Sequence, residues 1–458
     1  MRKRIVILVL VLCLAYIAVS AALVYSSYNK FRIDLSNFSL NKIQYDGIFE
    51  NLVTLRSRLK LIRPILYLSS KYEKKYEQIN DVISAKPVID QLTGFDSEKI
   101  FLVLMQNNAE LRPSGGFWGS YGIMRIKDGA ITSFKTSDTY SLDLQNRGKF
   151  IAPDEIKDVV VDEWRFWNAN WSPDFKDSVE KGLFFYKQVE PTVNFDGVIG
   201  PNVDYLLQIL KVSGPIDVPE HNFKVDENNF MPKMIYEPSD PIIDFSKENN
   251  PNFIYPTDKK PLLADLAKNI FEVISKGGNF RTFLSLTHSA LEDKNLLLYF
   301  PREDLENRIT ELGWAGRFEK RDNFIKVVDA NLGSKLDFFI DKKLVIKQTA
   351  PCEYEGQLTY SNEYNQDSKI VPFVNYRDLI RIFLPKDSTL IDFKGGQRVP
   401  NISFDSQTDT SYLSTLLIVG PRESSIFTFR WKTAGQCEDK NLVIEKQSGS
   451  HLTSQILR

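Results

Sequence analysis

Apolar positions change spacing three times along the chain. First comes an uncharged run from Ile5 to Tyr25, rich in Ile, Val, Leu and Ala. As a helix rising ~1.5 Å per residue it is long enough for the ~30 Å hydrocarbon core of a bilayer. Arg2, Lys3 and Arg4 precede it, so the positive-inside tendency predicts a cytoplasmic N-terminus and export of the remainder. A cleaved leader is the competing reading, with small residues at Ala18, Ser20, Ala21 and Ala22. The run exceeds the ~7–15 apolar residues of such leaders, which favours an uncleaved single-pass anchor over 1–27. In the next region, Ile48, Leu52, Leu55, Leu59, Ile62 and Leu66 alternate by four and three, the spacing of a helical seam. With Pro64 read as a helix start, the pattern predicts helices at 41–62 and 64–84, closed by Lys86-Pro87, in a helical stalk or hairpin over 28–94.

From 95 to 318 the pattern alternates. Ile100–Met105 is a continuous apolar run, as expected of a strand buried on both faces; Tyr121–Ile126, Asp158–Val161 and Val193–Ile199 are similar. Helical patterns at Val203–Lys211 and Leu262–Ser275 follow, and residues 228–260 read as a surface excursion. This predicts an α/β domain with an α/β/α layering. Beyond 318 short β-rich runs dominate: Phe324–Val328, Leu344–Thr349, Leu379–Leu384, Tyr412–Val419 and Ile426–Trp431. Turn residues separate them, predicting an immunoglobulin-like β-sandwich over 319–447. The polar residues 448–458 read as a frayed tail.

Composition narrows the function. Of 458 residues, 43% are hydrophobic and 12% aromatic, which excludes wholesale disorder. A formal net charge of −1 without long basic blocks argues against nucleic-acid binding. Cys352 and Cys437 both fall in the exported part, where they are either a disulfide pair or two free thiols, depending on the compartment. Three histidines and no HExxH, P-loop or nucleophile–His–acid pattern weigh against zinc chemistry and histidine general-base catalysis.

Three polar clusters are candidates for chemistry. Gln106–Tyr121 places Asn107, Asn108, Glu110 and Arg112 just after an apolar strand, ahead of Gly115 and Gly116. Loops at strand C-terminal ends open onto crevices, glycine lets a backbone approach closely, and Arg112 offers a two-pronged contact to phosphate or carboxylate. The alternative is a structural turn whose polar groups satisfy one another. Asp138, in Thr136-Ser-Asp-Thr-Tyr140, is either a divalent-cation ligand or a helix cap; Asp143 lies nearby. Arg165, Asn170 and Asp174 sit among Trp164, Trp167 and Trp171, which either line a glycan or lipid site or pack in a core.

The run Leu102-Val-Leu-Met-Gln-Asn-Asn-Ala-Glu-Leu-Arg-Pro-Ser-Gly-Gly-Phe117 closely resembles the opening motif of the domain of unknown function 4012 family. The resemblance continues through Asn170–Phe175, Phe195–Ile199, Leu206–Pro215, Leu296–Phe300, Leu312–Gly316 and Val328–Gly333. Members of that family are largely exported, membrane-anchored bacterial proteins. More distantly, the layout is similar to the LytR-CpsA-Psr envelope phosphotransferases, with Val193–Val218 like their second strand–helix element. That likeness implies binding of a polyprenyl-(pyro)phosphate-linked glycan carrier, with transfer to cell-wall glycan, at an extracytoplasmic face. By the same likeness Arg112 would hold the pyrophosphate, Asp138 and Asp174 would position Mg2+, and Asn107, Asn108, Glu110, Gly115, Gly116, Arg165 and Asn170 would line the ligand. This sequence departs from that pattern where Ser137-Asp138 replaces an Arg-Asp pair, and a later arginine-rich motif has only Arg165 as counterpart. The other expectation is a non-catalytic, membrane-anchored surface interaction or structural protein.

Overall fold

The computed structural model describes residues 2–36, 41–66, 70–157, 162–219, 222–236, 265–270, 272–273, 280–365, 374–396, 400, 402–434 and 441–457. Expected features at 158–161, within 237–264, and at Cys437 lie outside the described residues.

Helix α1 (Arg2–Ser36) precedes α2 (Lys42–Leu66), α3 (Ser70–Ser84) and α4 (Lys86–Thr93). The expected membrane anchor is corrected here: among the described residues no helix is long and apolar enough to cross a membrane. The side chains described in α1 begin at Tyr16. That part of the helix packs on α2 instead: Tyr16 donates to the Leu61 carbonyl at 2.7 Å, and Arg58 donates to Ser27 Oγ at 2.6 Å. Helix α2 also runs through position 64 to Leu66, because a proline so near a helix end disturbs only the last turn. Part of its seam is satisfied locally, with Ile48, Phe49 and Leu52 packing with Tyr45, Phe95, Ile79 and Ile83.

The α/β layer is built on one mixed five-stranded sheet. Its order is β3 (Ala130–Asp138), β2 (Gly115–Lys127), β1 (Lys99–Arg112), β4 (Gly197–Pro201), β7 (Leu296–Tyr299). Strand β1 pairs parallel only with β4 and antiparallel with β2, while β7 is antiparallel to β4. Alternation along β1 sends Phe101 to one face and Leu102 and Leu104 to the other. Phe101 meets a core built from α4, α8 (Val203–Ser213), α9 (Phe280–Glu292) and α10 (Glu303–Glu311). Leu102 and Leu104 meet Phe166 and α7 (Phe175–Val189). The sheet therefore carries helices on both faces, in a mixed α/β arrangement. Helices α5 (Thr139–Gln145) and α6 (Asp154–Lys157) follow β3, and β5 (Ile216–Val218) with β6 (Phe223–Val225) forms a small ribbon.

The C-terminal sandwich has two five-stranded sheets. One runs β12 (Thr389–Lys394), β15 (Ser424–Lys432), β10 (Glu353–Asn362), β9 (Ile340–Ala350), β17 (Thr453–Leu457). The other runs β13 (Ile402–Asp405), β14 (Thr410–Val419), β11 (Tyr376–Leu384), β8 (Phe324–Asn331), β16 (Val443–Glu445). Leu344, Ile346, Leu358 and Phe429 from the first meet Ile325, Val327, Ile380 and Leu413 from the second. The tenth strand, beyond the ~7–9 of an immunoglobulin domain, arises because the expected frayed tail holds β17. Strand β16 adds parallel to β8, and β17 adds parallel to β9.

Candidate functional site

The Gln106–Tyr121 motif is where the two layers meet. Between the pairs Asn107↔Phe117 and Leu111↔Gly116 the register of β1 against β2 slips, leaving Asn108, Ala109 and Glu110 as a bulge. Bulges redirect side chains, and this one drives β1 into the sandwich, where Ala109 joins the sandwich core. The glycines opposite are dictated by this geometry. A Cβ on Gly116 would sit 2.3 Å from the Asn107 carbonyl carbon, and one on Gly115 2.2 Å from Gln106 Oε1. Close backbone packing accounts for Gly116, and a φ of 152° together with the Gln106 side chain accounts for Gly115.

Each polar side chain of the bulge is engaged. Asn107 Oδ1 accepts from the Ala109 N–H at 3.2 Å. Buried Asn108 caps α8 by accepting from the Val203 N–H at 3.1 Å, and donates to Asp204 Oδ2 at 2.7 Å and to the Gly449 carbonyl at 3.1 Å. The Leu111 N–H donates to Asp337 Oδ2 at 2.9 Å. Arg112, only 3% exposed, pairs with Glu110 at 2.8 Å and lies over the Phe117 ring at 5.2 Å. Burial pushes the Glu110 carboxyl above its usual range, while Arg112 and Lys335 oppose that shift. Gln447 donates to the Arg112 carbonyl at 3.0 Å. Arg112 Nε and Nη1 have no hydrogen-bond partner among the described residues.

The second and third clusters also resolve into caps. Asp138 caps α5, accepting from the Ser141 N–H at 2.7 Å and Ser141 Oγ at 2.6 Å. Asp143 accepts from the Phe166 and Trp167 N–H groups at 2.8 and 3.1 Å. Arg165 donates to the Asp143 carbonyl at 3.2 Å and pairs with Glu163. Asn170 donates to the Gly116 carbonyl at 2.8 Å. Asp174 caps α7 and accepts from Arg317 Nε at 2.8 Å and the Phe318 N–H at 2.9 Å, tying α7 to the segment that enters the sandwich. Trp167 packs with Phe117 and Tyr140, and Trp171 lies against Arg381 of β11.

These positions do not converge on a metal. Among the described residues no three His, Cys, Asp or Glu side chains gather where they could hold a cation; Asp138 spends its oxygens on a helix cap, and Asp174 divides its two between a cap and the Arg317–Phe318 segment. The donor set does not fit Mg2+, so no step is routed through it. An open groove of ≈ 350 Å³ lies between α8 and α9, lined by Gln208, Lys211, Val212, Thr282, Ser285, Leu286 and Ser289. It includes no candidate residue. Cys352 is disulfide-bonded.

Sequence reading missed the partners that close the bulge, Asp337, Gln447 and Gly449. They lie more than 200 residues from the motif, and the polar composition of the tail pointed to fraying rather than burial.

The sequence of residues 96–237 matches the family described as "Protein of unknown function (DUF4012)". Over that segment the chain belongs to the DUF4012 family. The DUF4012 segment holds the bulge, the cap clusters and α8, and ends before the sandwich. No curated protein matches the chain. Among solved structures, similarity is found to Lmo1026 from Listeria monocytogenes, at 12% identity and a TM-score of 0.24, covering 48% of this chain and 77% of that one. Lin1025 from Listeria innocua is similar at 13% identity and a TM-score of 0.25, covering 47% and 80%. Likeness at this level bears on neither fold nor function.

Proposed function

We propose that this chain is an extracytoplasmic, non-catalytic structural or interaction protein, whose DUF4012 layer serves as a seat for the β-sandwich. One observation carries the reading: the motif that looked like a ligand loop is a bulge buried against the sandwich, with Asn108, Leu111 and Arg112 bonded to Gly449, Asp337 and Gln447. Buried polar groups are stable only when paired, and here the pairs cross the domain boundary. The disulfide at Cys352 supports an oxidising compartment. The proposed partner is another envelope component, met by the outer faces of the sandwich.

A second reading rests on Arg112. Its two unpartnered N–H groups are the kind that an anionic oxygen satisfies, which supports a polyprenyl-pyrophosphate carrier at this position. Titration of the folded chain with a water-soluble polyprenyl pyrophosphate, with and without Mg2+, separates the two. The structural reading expects no saturable binding from the wild type. It also expects Asn108→Ala to cost about 1–3 kcal/mol of stability through its unpaired partners. Saturable binding that Arg112→Ala removes, in a protein still folded by circular dichroism, would move the conclusion to carrier binding.

A further inference from the structure

The sandwich interior holds a charged cluster that its apolar core does not require. Lys342 of β9, 2% exposed, places Nζ 2.8 Å from Asp329 Oδ2 on β8 and 2.7 Å from Asp337 Oδ1. Both carboxylates are buried, and Asp378 on β11 is fully buried beside them with neither oxygen hydrogen-bonded among the described residues. Lys342 lies over the rings of Tyr360 and Tyr376, at 5.7 and 5.3 Å. Strand register explains the meeting. Lys342 is directly opposite Tyr360 in one sheet. Asp329 faces Ile380, and Asp378 lies two residues along β11 on the same face of the other sheet. The lysine therefore crosses the sandwich to reach an aspartate on the facing sheet.

Burying one ammonium is expensive in desolvation, while Asp329, Asp337 and Asp378 together hold the amine above its ordinary range, and water is excluded from the reacting atoms. Hydrogen-bond contact places the amine nitrogen 2.8 Å from Asp329 Oδ2, so amine and carboxyl are already held together without a search. We propose that Lys342 and Asp329 condense into an intramolecular amide that covalently staples β9 to β8 and hence one sheet to the other. The two carboxylates are not equivalent. Asp337 Oδ2 accepts from the Leu111 N–H and from Asn331 Nδ2, and Oδ1 from Tyr376, at 2.9, 2.6 and 2.9 Å. Those donors fix it beside the Lys342 amine, placed to act as base. Asp329 Oδ1 accepts only from Tyr360 Oη, at 2.6 Å, a donor placed to stabilise an oxyanion. Burial beside Asp329 pushes the Asp378 carboxyl well above its usual range, which suits it to deliver a proton.

The step balances as follows. Asp337 takes one proton from the Lys342 ammonium, and the freed amine attacks Asp329 Cγ while Asp378 protonates a carboxyl oxygen. Asp378 recovers a proton from the nitrogen. The protonated oxygen then leaves as water with the proton held on Asp337, breaking its C–O bond. An ammonium and a carboxylate become an amide and one water, with no oxidant or cofactor.

Intact mass of the folded full-length chain, after reduction of its disulfide, tests this directly. The expected mass is lighter than the linear sequence by one water, with a protease-derived peptide pair joined through Lys342 and Asp329. Lys342→Met and Asp378→Asn should restore the full linear mass. A wild-type chain at the full linear mass overturns the proposal whether or not any variant folds. So does a water loss confined to a single unlinked peptide, which marks a cyclised aspartate. Loss retained in Asp378→Asn would overturn the shuttle role while leaving the bond.

Discussion

Lys326 shows how a residue's neighbours set its charge. It sits on β8, 3% exposed, with its amine 4.8 Å from the Phe318 ring centroid. Burial, aided by Lys294, pushes its amine down to about 8, against the pull of Glu445, Asp174 and Glu319. Unfolded, the same amine titrates near 10.4. Below about pH 8 it is charged in both states, so protonation there leaves stability level and the burial cost stands in full. Between about 8 and 10 the unfolded chain binds more protons, so stability rises with pH. Lys326→Met is therefore expected to be more stable than wild type at pH 7, by at most about 3 kcal/mol, with the gap closing as pH is raised. Urea titrations at a series of pH values check this; a gap that does not change with pH would contradict it. None of this was legible in the sequence, where Lys326 is one lysine in a β-rich run. Asp138 was half legible, since its helix-cap alternative could be read from its place before a helical segment; the cap at Asp174 was not foreseen.

Elements were easier to read than their partners. The apolar runs at Ile100–Met105 and Leu379–Leu384 mark strands because each is buried on both faces, and the structure places them in β1 and β11. Strand β17 was missed because it adds to a sheet edge and all five of its residues are exposed, leaving no apolar alternation to read. Gln447 was missed for a related reason: its burial depends on contacts more than 100 residues away. It accepts from the Asp329 N–H at 2.8 Å and donates to the Asp329 and Arg112 carbonyls at 2.8 and 3.0 Å. Gln447→Ala orphans those groups and is expected to cost about 1–3 kcal/mol, measured by chemical denaturation; a loss near zero would show that the tail only lies on the surface. The disulfide belongs to the same scale. A bond between Cys352 and Cys437 would close a long loop and add on the order of 4 kcal/mol in the chain-entropy picture. Peptide mapping without reductant should yield those two cysteines joined, and a Cys352 peptide joined elsewhere would refute the pairing.

At the scale of the whole molecule, the question is whether two domains behave as one. Domains joined by small polar interfaces commonly move and unfold separately. Here apolar packing and buried hydrogen bonds cross the boundary together. Ala152 and Trp171 pack with Ala330 and Leu379, and Arg381 donates to the Trp171 carbonyl at 2.8 Å. Ala109 enters the sandwich core, while Asp337 holds both the Leu111 N–H and the Lys342 amine. Opening the boundary would strand the Leu111 N–H, the Arg112 carbonyl and one face of Asn108 in a buried setting, each at about 1–3 kcal/mol. Unfolding either layer alone therefore removes the partners of the other. The α/β layer and the sandwich should melt in one cooperative transition, with calorimetric and van't Hoff enthalpies equal. Tryptophan makes the comparison specific, since Trp118 and Trp167 report on the α/β layer and Trp431 on the sandwich. With a Trp431→Phe version, and a version in which the other five tryptophans are phenylalanine so that Trp431 alone remains, the two fluorescence melts should coincide with each other and with far-UV circular dichroism. Separated midpoints would mean that the bulge is a passive contact, and would remove the main support for reading the DUF4012 layer as the sandwich's seat.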